Sequence, residues 1–291
     1  MNSLTVNVPA KINLYLRLTG KRKDGYNSLC TIFQKINLYD RLTLKKAKGF
    51  RLIIDGITPC SVKENTIYKA YRLLKSSTRF KGALHVHLTK RIPAGSGLGG
   101  ASADAAYTLL GMNRLFKLGL NQFQLLELGK KIGADVPFFL HKYPVALGVE
   151  RGDLLINLPV RRKYWILLVI YEKKLSTKKV YKAFNYLAGF RMSLTKLSRE
   201  VTILSLNFKQ GKLVSLGKAL KNDLTSVACS LMPEVKDILR SIKECGASAC
   251  AMTGSGPTVF ALFKNKREVQ AARERLLEHR GFKTIVCQTL H

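Results

Sequence analysis

Carboxylates are scarce in this chain. Only 18 Asp and Glu stand against 50 Lys and Arg, a formal charge of +32 over 291 residues. Such a surplus attracts polyanions through its summed field, nucleic acid and phosphorylated metabolites alike. The few carboxylates gather into no cluster that announces a protein-built metal site, so no metal-ligating residue is assigned. Pairing signals are missing among the six cysteines, Cys30, Cys60, Cys229, Cys245, Cys250 and Cys287, which form no C-x-x-C and have no histidines at ligand spacing. A chain of this size needs no disulfide staple, and the expectation is free thiols acting as small buried hydrophobes. No apolar run reaches membrane length, the most apolar being the strand-sized Tyr164 to Tyr171. The start, Met1 to Val6, lacks the charged and apolar regions of a secretory signal, so a cytoplasmic location is expected. There is no internal repeat, no low-complexity segment and no motif specifying an oligomer. Nor is there an aromatic-interleaved basic motif of the kind single-stranded RNA binders use. The cations sit in short scattered clusters, Lys21-Arg22-Lys23, Lys45-Lys46, Arg161-Arg162-Lys163 and Lys173-Lys174. Spread in this way, they read at least as well as solvated surface lysines as they do as a nucleic-acid-binding surface, and no membrane partner is expected.

What the chain does have is one glycine-rich stretch, Pro93-Ala94-Gly95-Ser96-Gly97-Leu98-Gly99-Gly100-Ala101-Ser102, running on to Ala106. The segment before it alternates, with Leu84, Val86 and Leu88 on one face and His85 and His87 on the other, the period of a half-buried strand. Beyond Ala101 the residues become helix formers. Strand, glycine loop and helix N-terminus together aim unpaired N–H groups and the positive end of a helix dipole at one place, a phosphate cradle. Gly95, Gly97 and Gly100 also satisfy G-x-G-x-x-G, but the second strand and acidic residue of a dinucleotide site do not follow. Gly95, Gly100 and Ser102 fit P-loop spacing, yet Ala101 stands where that loop has its lysine.

Elsewhere the pattern predicts strands over 12–18, 29–36, 40–45 and 50–54, joined most simply as antiparallel sheet. The strand over 12–18 turns Ile12, Leu14 and Leu16 to a core and leaves Asn13, Tyr15 and Arg17 on a polar face that could line a site. Helices are predicted over 65–74, 102–116 and 122–132, the first carrying Ile67, Ala70, Tyr71 and Leu74. Asp135 then stands in an apolar, helix-breaking setting, Gly133-Ala134-Asp135-Val136-Pro137, where a local backbone cap and a buried catalytic base are both open readings. The basic turn Pro159 to Lys163 marks a domain boundary. It separates residues 1–160 from a compact α+β unit, 161–291, with strands at 249–252, 258–263 and 283–287 and a helix over 266–279. Ser176 or Thr177 caps a helix at its start.

Seven stretches coincide, in order, with one family: Pro9 to Leu14, Asp24-Gly25-Tyr26, Pro93 to Ala106, Gly133 to Pro137, Ser176-Thr177, Asn222-Asp223-Leu224 and Thr253-Gly254-Ser255-Gly256. The chain thereby resembles the 4-diphosphocytidyl-2-C-methyl-D-erythritol kinase family, of the superfamily that also holds galactokinase, homoserine kinase and mevalonate kinase. The resemblance implies a two-domain α+β fold. Its N-terminal half is like domain 2 of ribosomal protein S5, its C-terminal half is ferredoxin-like, and the active site lies in the cleft between them. It implies ATP-dependent phosphorylation of the 2-hydroxyl of a cytidyl-diphosphate sugar alcohol, in the non-mevalonate route to isoprenoids.

By position, the resemblance makes Lys11 and Asp135 the catalytic pair: Asp135 accepts the hydroxyl proton, and Lys11 keeps it ionised and stabilises the attacking oxygen. Pro93 to Ser102 would wrap the ATP phosphates, with Mg²⁺ bridging them and Ser102 a candidate for a phosphate or metal-linked contact. Asn65, Lys90 and Arg91 match the adenosine side. Asn13, Tyr26, Asn27, Thr177, Tyr181, Gly254 and Ser255 match the substrate side, with Tyr26 and Tyr181 stacking on the base. Asn27 departs from the family's usual histidine, and its amide offers a donor and an acceptor to cytosine. Ala101 and Ala103 stand where glycine and serine are common. The alternatives this leaves are another small-molecule kinase of the superfamily and a basic RNA-binding protein on an S5-like domain.

Overall fold

The computed structural model describes residues 2–56, 61–78, 80–159, 162–187, 193–277 and 282–291. Cys60, Arg161 of the basic turn and the end of the helix expected to reach residue 279 lie outside the described residues. The chain forms two compact units. The first takes Met1–Ala10, Leu38–Ala94 and Gly99–Tyr143, and the second takes Lys11–Asn37, Gly95–Leu98 and Pro144–His291. Two long strands, β1 (Ser3–Lys21) and β2 (Asn27–Ala47), contribute to both units, so no single cut in the sequence separates them.

In the first unit, β3 (Arg51–Asp55) runs parallel to β4 (Ala83–Thr89), and β4 pairs antiparallel with the last part of β2. The strand expected over 50–54 to join its predecessors as antiparallel sheet pairs instead in parallel with β4, for a physical reason. A parallel pair needs a crossover connection, and the helix α1 (Thr66–Ser77) between the two strands provides it. The two strands expected over 29–36 and 40–45 are one strand, because Asp40 does not break it. Its carboxylate is buried and accepts the backbone N–H groups of Arg91 at 2.6 Å and Ile92 at 2.8 Å. α1 buries Ile67, Ala70, Tyr71 and Leu74, the stripe its sequence predicts, and Asn65 caps it by accepting from Ile67 N at 2.9 Å. Three helices follow: α2 (Gly100–Leu115), α3 (Gln122–Ile132) and α4 (Val136–Leu140). The small residues of α2 let it lie close on the sheet; a Cβ added to Gly111 would stand 2.3 Å from Leu44 of β2.

The second unit begins where β1 is buried on both faces. Ile12, Leu14 and Leu16 face apolar neighbours as expected, but Lys11, Asn13 and Tyr15 on the polar face are buried too. The period of two therefore marks two kinds of packing, apolar and hydrogen-bonded, rather than core and solvent. β5 (Val145–Val149), which the sequence pattern did not reveal, pairs antiparallel with the first part of β2 and with β6 (Leu154–Asn157). A separate sheet starts with β7 (Trp165–Tyr171), followed by helices α5 (Thr177–Leu187), α6 (Leu194–Gln210) and α7 (Leu213–Ala219). The two-residue β8 (Lys221–Asn222) joins β1 in parallel at Tyr15 and Leu16. Then come α8 (Thr225–Leu231), α9 (Glu234–Glu244), β9 (Ala249–Met252), β10 (Val259–Phe263), α10 (Lys266–Leu277) and β11 (Phe282–Gln288).

The separate sheet has the order β11-β7-β10-β9, antiparallel throughout, which is the ferredoxin-like arrangement. Its core joins Leu167, Val169, Val259 and Ala261 to Val235, Ile238 and Ile242 of α9 and to Val269, Ala272 and Leu276 of α10. Each fully buried aliphatic side chain of this kind contributes about 1.5–3 kcal/mol. Cys30, Cys229, Cys245, Cys250 and Cys287 are free thiols, and burial pushes Cys30 and Cys287 up to about 12, as befits inert packing residues.

An ion-paired network ties β1 to α6 and β8. Arg17 donates to both oxygens of Glu200, at 3.1 and 3.0 Å, and to Asp223 at 2.5 Å. Tyr15 donates to Glu200 at 2.7 Å, and Asp223 accepts Leu18 N at 2.9 Å. Burial pushes the Glu200 carboxyl up, but the hydrogen bonds from Arg17 and Tyr15 outweigh it and hold the group below its ordinary range. A carboxyl lowered in the folded state contributes stability above its unfolded pKa and loses it as pH falls through the folded value. Urea titrations at pH 7 and pH 4 should therefore find the Glu200→Gln variant less stable than the parent at pH 7, with the gap narrowing at pH 4. An unchanged gap would show that the pair does not couple to folding.

Candidate active site

The glycine stretch bridges β4 and α2. Gly95, Gly97 and Gly99 have φ of +72°, +79° and +74°, left-handed values that side chains adopt only under strain. Left-handed residues alternating along a loop turn successive N–H groups to one side, the geometry of an anion-binding nest. Gly99 occupies the N-cap of α2 and no side chain caps that helix, so its first N–H groups are available to a ligand. Ser102 lies on its first turn, partly exposed. Thr66, at the start of α1, donates to Ala101 O at 2.7 Å and so places Asn65 beside the helix start. The Asn65 side-chain oxygen is already committed to capping α1.

Under this start lies an ionic brace. Lys90 donates to Asp104 at 2.8 Å and to Asp40, while Asp40 also accepts Arg91 N and Ile92 N. A Cβ on Gly100 would stand 2.9 Å from Lys90 Nζ, so glycine is what admits the ammonium there. Burial penalises the Asp104 charge more than Lys90 compensates, and nearby Asp40 adds to the effect; the Asp104 carboxyl is raised well above its ordinary range. Lys90, expected on the adenosine side, thus spends its charge on two carboxylates. Arg91 is exposed and contributes its backbone N–H to the brace. Asp135 also belongs to the first unit. It is half-buried at the N-cap position of α4 and makes no side-chain cap hydrogen bond to that helix.

The second unit gathers a larger set. Lys11 Nζ donates to Asn13 Oδ1 at 2.7 Å and lies 5.5 Å from the Phe33 ring centroid, while Lys11 N donates to Leu98 O at 3.0 Å. Asn13 Nδ2 donates to Thr31 Oγ1 at 2.8 Å; its backbone N donates to Thr253 Oγ1 at 2.9 Å, and that hydroxyl is 3.3 Å from Asn13 Oδ1. The Asn13 amide oxygen therefore serves two donors inside the protein, and one Nδ2 proton has no partner among the described residues. Two glycine loops meet backbone to backbone here. A Cβ on Gly97 would fall 2.7 Å from Thr253 O, and one on Gly254 would fall 3.3 Å from Gly97 O. Ser255, buried, and Thr177, at the start of α5, have hydroxyls 2.8 Å apart, and Ser176 rather than Thr177 caps that helix.

Thr31, Thr253 and Asn222 carry much of this geometry without having been assigned a role. Asn222 Nδ2 donates to Met252 O at 2.8 Å and Gly254 O at 2.9 Å, and its Oδ1 accepts Leu224 N at 3.0 Å. Replacing Asn222 with alanine should leave two loop carbonyls without a donor and cost about 1–3 kcal/mol in urea unfolding. A variant as stable as the parent would show that water replaces the amide at no cost.

The residues expected on the cytidine side, Tyr26, Asn27 and Tyr181, also belong to this unit. Tyr26 is 59% exposed on the turn that Asp24 closes by accepting Tyr26 N at 3.1 Å, and Asn27 opens β2 beside it. The Arg151 guanidinium lies 4.9 Å from the Tyr26 ring centroid, covering one face of the ring. Arg151 gave no signal in the sequence. Tyr181, on α5, is half-buried and packs against the ferredoxin-like core.

Among the described residues no group of three or more His, Cys, Asp or Glu forms a metal site, and no helix is long and apolar enough to cross a membrane. Comparison with known proteins gives a consistent result. The pattern of the GHMP kinases N terminal domain matches residues 65–143, and that of the GHMP kinases C terminal matches residues 205–280. The 4-diphosphocytidyl-2-C-methyl-D-erythritol kinase of Moorella thermoacetica is 39% identical and that of Pelobacter propionicus 36%, each alignment covering 100% of both chains. A crystal structure of a 4-(cytidine 5'-diphospho)-2C-methyl-D-erythritol kinase superposes with a TM-score of 0.82 at 28% identity, over 99% of this chain and 100% of that one.

Proposed function

The chain belongs to the 4-diphosphocytidyl-2-C-methyl-D-erythritol kinase family of GHMP kinases, and from that premise we propose that it transfers the γ-phosphate of ATP to the 2-hydroxyl of 4-diphosphocytidyl-2-C-methyl-D-erythritol. On this reading the protein acts in the non-mevalonate synthesis of isoprenoid precursors, with the cytoplasm as its proposed location. One observation carries the reading: the strand that bears Lys11 is hydrogen-bonded through Lys11 N to the glycine loop, and Asn13 holds the Lys11 ammonium in place. Phosphoryl transfer is catalysed mainly by positioning and charge stabilisation, and this arrangement supplies both.

Asp135 accepts the proton of the attacking hydroxyl, and Lys11 stabilises the charge that develops on its oxygen. The amides of Gly95 to Ser102 hold the phosphates. Residues 1–160 supply the catalytic and phosphate-binding residues and 161–291 add Thr177, Tyr181, Gly254 and Ser255 on the substrate side; each matched GHMP segment falls within one of these parts. Thr177, Gly254, Ser255 and the remaining Asn13 proton face the substrate, and Tyr26, Asn27 and Tyr181 its cytidine. Asn65, Lys90 and Arg91 shape the adenosine side, Lys90 and Asn65 by fixing the start of α2 and α1 rather than by direct charge. A Mg²⁺ ion fits as one delivered on ATP, since magnesium keeps several waters and takes few protein oxygens, and Ser102 offers a hydroxyl beside the phosphates. Bound there, it would neutralise phosphate charge.

Purified protein with Mg-ATP should release ADP in a coupled assay when given the cytidyl substrate. It should respond weakly to the uridyl analogue if Asn27 reads the cytosine edge. No turnover with the cytidyl substrate, or faster turnover with homoserine, mevalonate or galactose, would overturn the proposal.

A further inference from the structure

A loop that binds phosphate through amides alone leaves most of a triphosphate's charge unneutralised, and a P-loop answers this with a lysine that Ala101 replaces here. Lys90 stands close in sequence, but its ammonium donates to Asp40 and Asp104, and the brace has no net positive charge to offer. A different lysine lies against the loop. The stem of Lys174 passes beside Gly95, with Cγ and Cδ each 3.6 Å and Cβ 4.0 Å from where a Cβ on that glycine would stand. The ammonium is two bonds beyond Cδ, within reach of an anion seated on the loop amides.

The residues around this exposed lysine have partners of their own. Lys173 lies 4.0 Å from Glu234 and 5.9 Å from the Tyr171 ring centroid. On the other flank Ser176 caps α5 and Thr177 meets Ser255 at 2.8 Å. Among the described residues no carboxylate lies in ion-pair range of Lys174, in contrast to Lys90. Gly95 is exposed with φ +72°, and no Gly95 side chain stands between its backbone and the lysine stem.

We propose that Lys174 is a nucleotide-affinity residue: its ammonium pairs with the polyphosphate of ATP held on Gly95 to Ser102 and supplies the cation that the loop itself lacks. The inference rests on the kinase reading above and adds to it a residue of the β7–α5 connection. A charge-assisted contact of this exposed kind is worth about 1 kcal/mol, which corresponds to about fivefold in affinity.

The test uses the full chain and two measurements. In the coupled assay, Lys174→Ala should raise the KM for ATP about five- to tenfold and leave the KM for the cytidyl substrate unchanged, and Lys174→Arg should restore most of the loss. Increasing salt should weaken ATP binding more steeply in the parent than in Lys174→Ala. Calorimetric titration with Mg-ATP alone reads the same contact without any second substrate. A parent that binds Mg-ATP in a Lys174-dependent way but does not phosphorylate the cytidyl substrate would sink the functional reading and keep this inference. An active parent whose ATP affinity is unmoved by Lys174→Ala, or whose loss falls on the cytidyl substrate, would overturn the inference alone. A parent that binds no nucleotide would overturn both.

Discussion

Replacing Asp135 with asparagine is expected to lower kcat by about 10²–10⁴-fold, the contribution typical of a positioned general base, with the KM for ATP nearly unchanged. Asparagine keeps the size of the side chain but accepts no proton from an attacking hydroxyl. The backbone around it should survive the change. Asp135 begins α4 without capping it, and the helix is fixed instead by the burial of Val136, Pro137, Phe138, Phe139 and Leu140. A structural role would show as lost stability, so urea unfolding of the variant is the necessary companion measurement. Normal stability with kcat reduced at least a hundredfold is the expected pair of results. Normal stability with normal kcat would mean that the hydroxyl proton leaves by another route, as in a loose transition state where proton transfer comes late.

The sequence made Asp135 visible by its setting, a lone carboxylate among Gly133, Ala134, Val136 and Pro137, and the same kind of local legibility holds elsewhere. The glycine-rich stretch between a strand and a helix stands out by composition alone, and Gly95, Gly97 and Gly99 take left-handed conformations in it. The helix over 122–132 follows its prediction because its cap, the box between Asn121 and Gln124, is itself local. What escaped reading depends on distant partners. Thr31 and Thr253 hold Asn13 from 18 and 240 residues away, and β8 is a strand of two residues only because β1 lies beside it. Charge was the least legible property. Lys90 reads as a ligand-binding cation, yet folding sets it, half-buried, against the buried carboxylates of Asp40 and Asp104. Period and composition describe what a residue is, and the partner that sets its charge state belongs to the fold.

Alanine at Gly97 should be the most damaging small substitution in the glycine loop, lowering kcat/KM for ATP about a hundredfold, the loss that a displacement of about 1 Å produces in a positioned site. Two effects act together. A left-handed φ of +79° costs a residue with a Cβ about 1–2 kcal/mol, and the new methyl group would lie 2.7 Å from the backbone oxygen of Thr253. That contact is with main chain, so relief requires one glycine loop to move away from the other. Thr253 then carries its hydroxyl off Asn13, and Asn13 carries its oxygen off the Lys11 ammonium. Gly119 separates the two effects. It has φ of +70° with nothing within 4 Å of an added Cβ. Gly119→Ala should lose stability by a comparable strain and retain full activity. If both variants lose the same stability and neither loses activity, the packing of Gly97 on Thr253 does not set the position of Lys11. Loss of activity confined to Gly97→Ala would show that the loop that holds the phosphates also sets the lysine beside them.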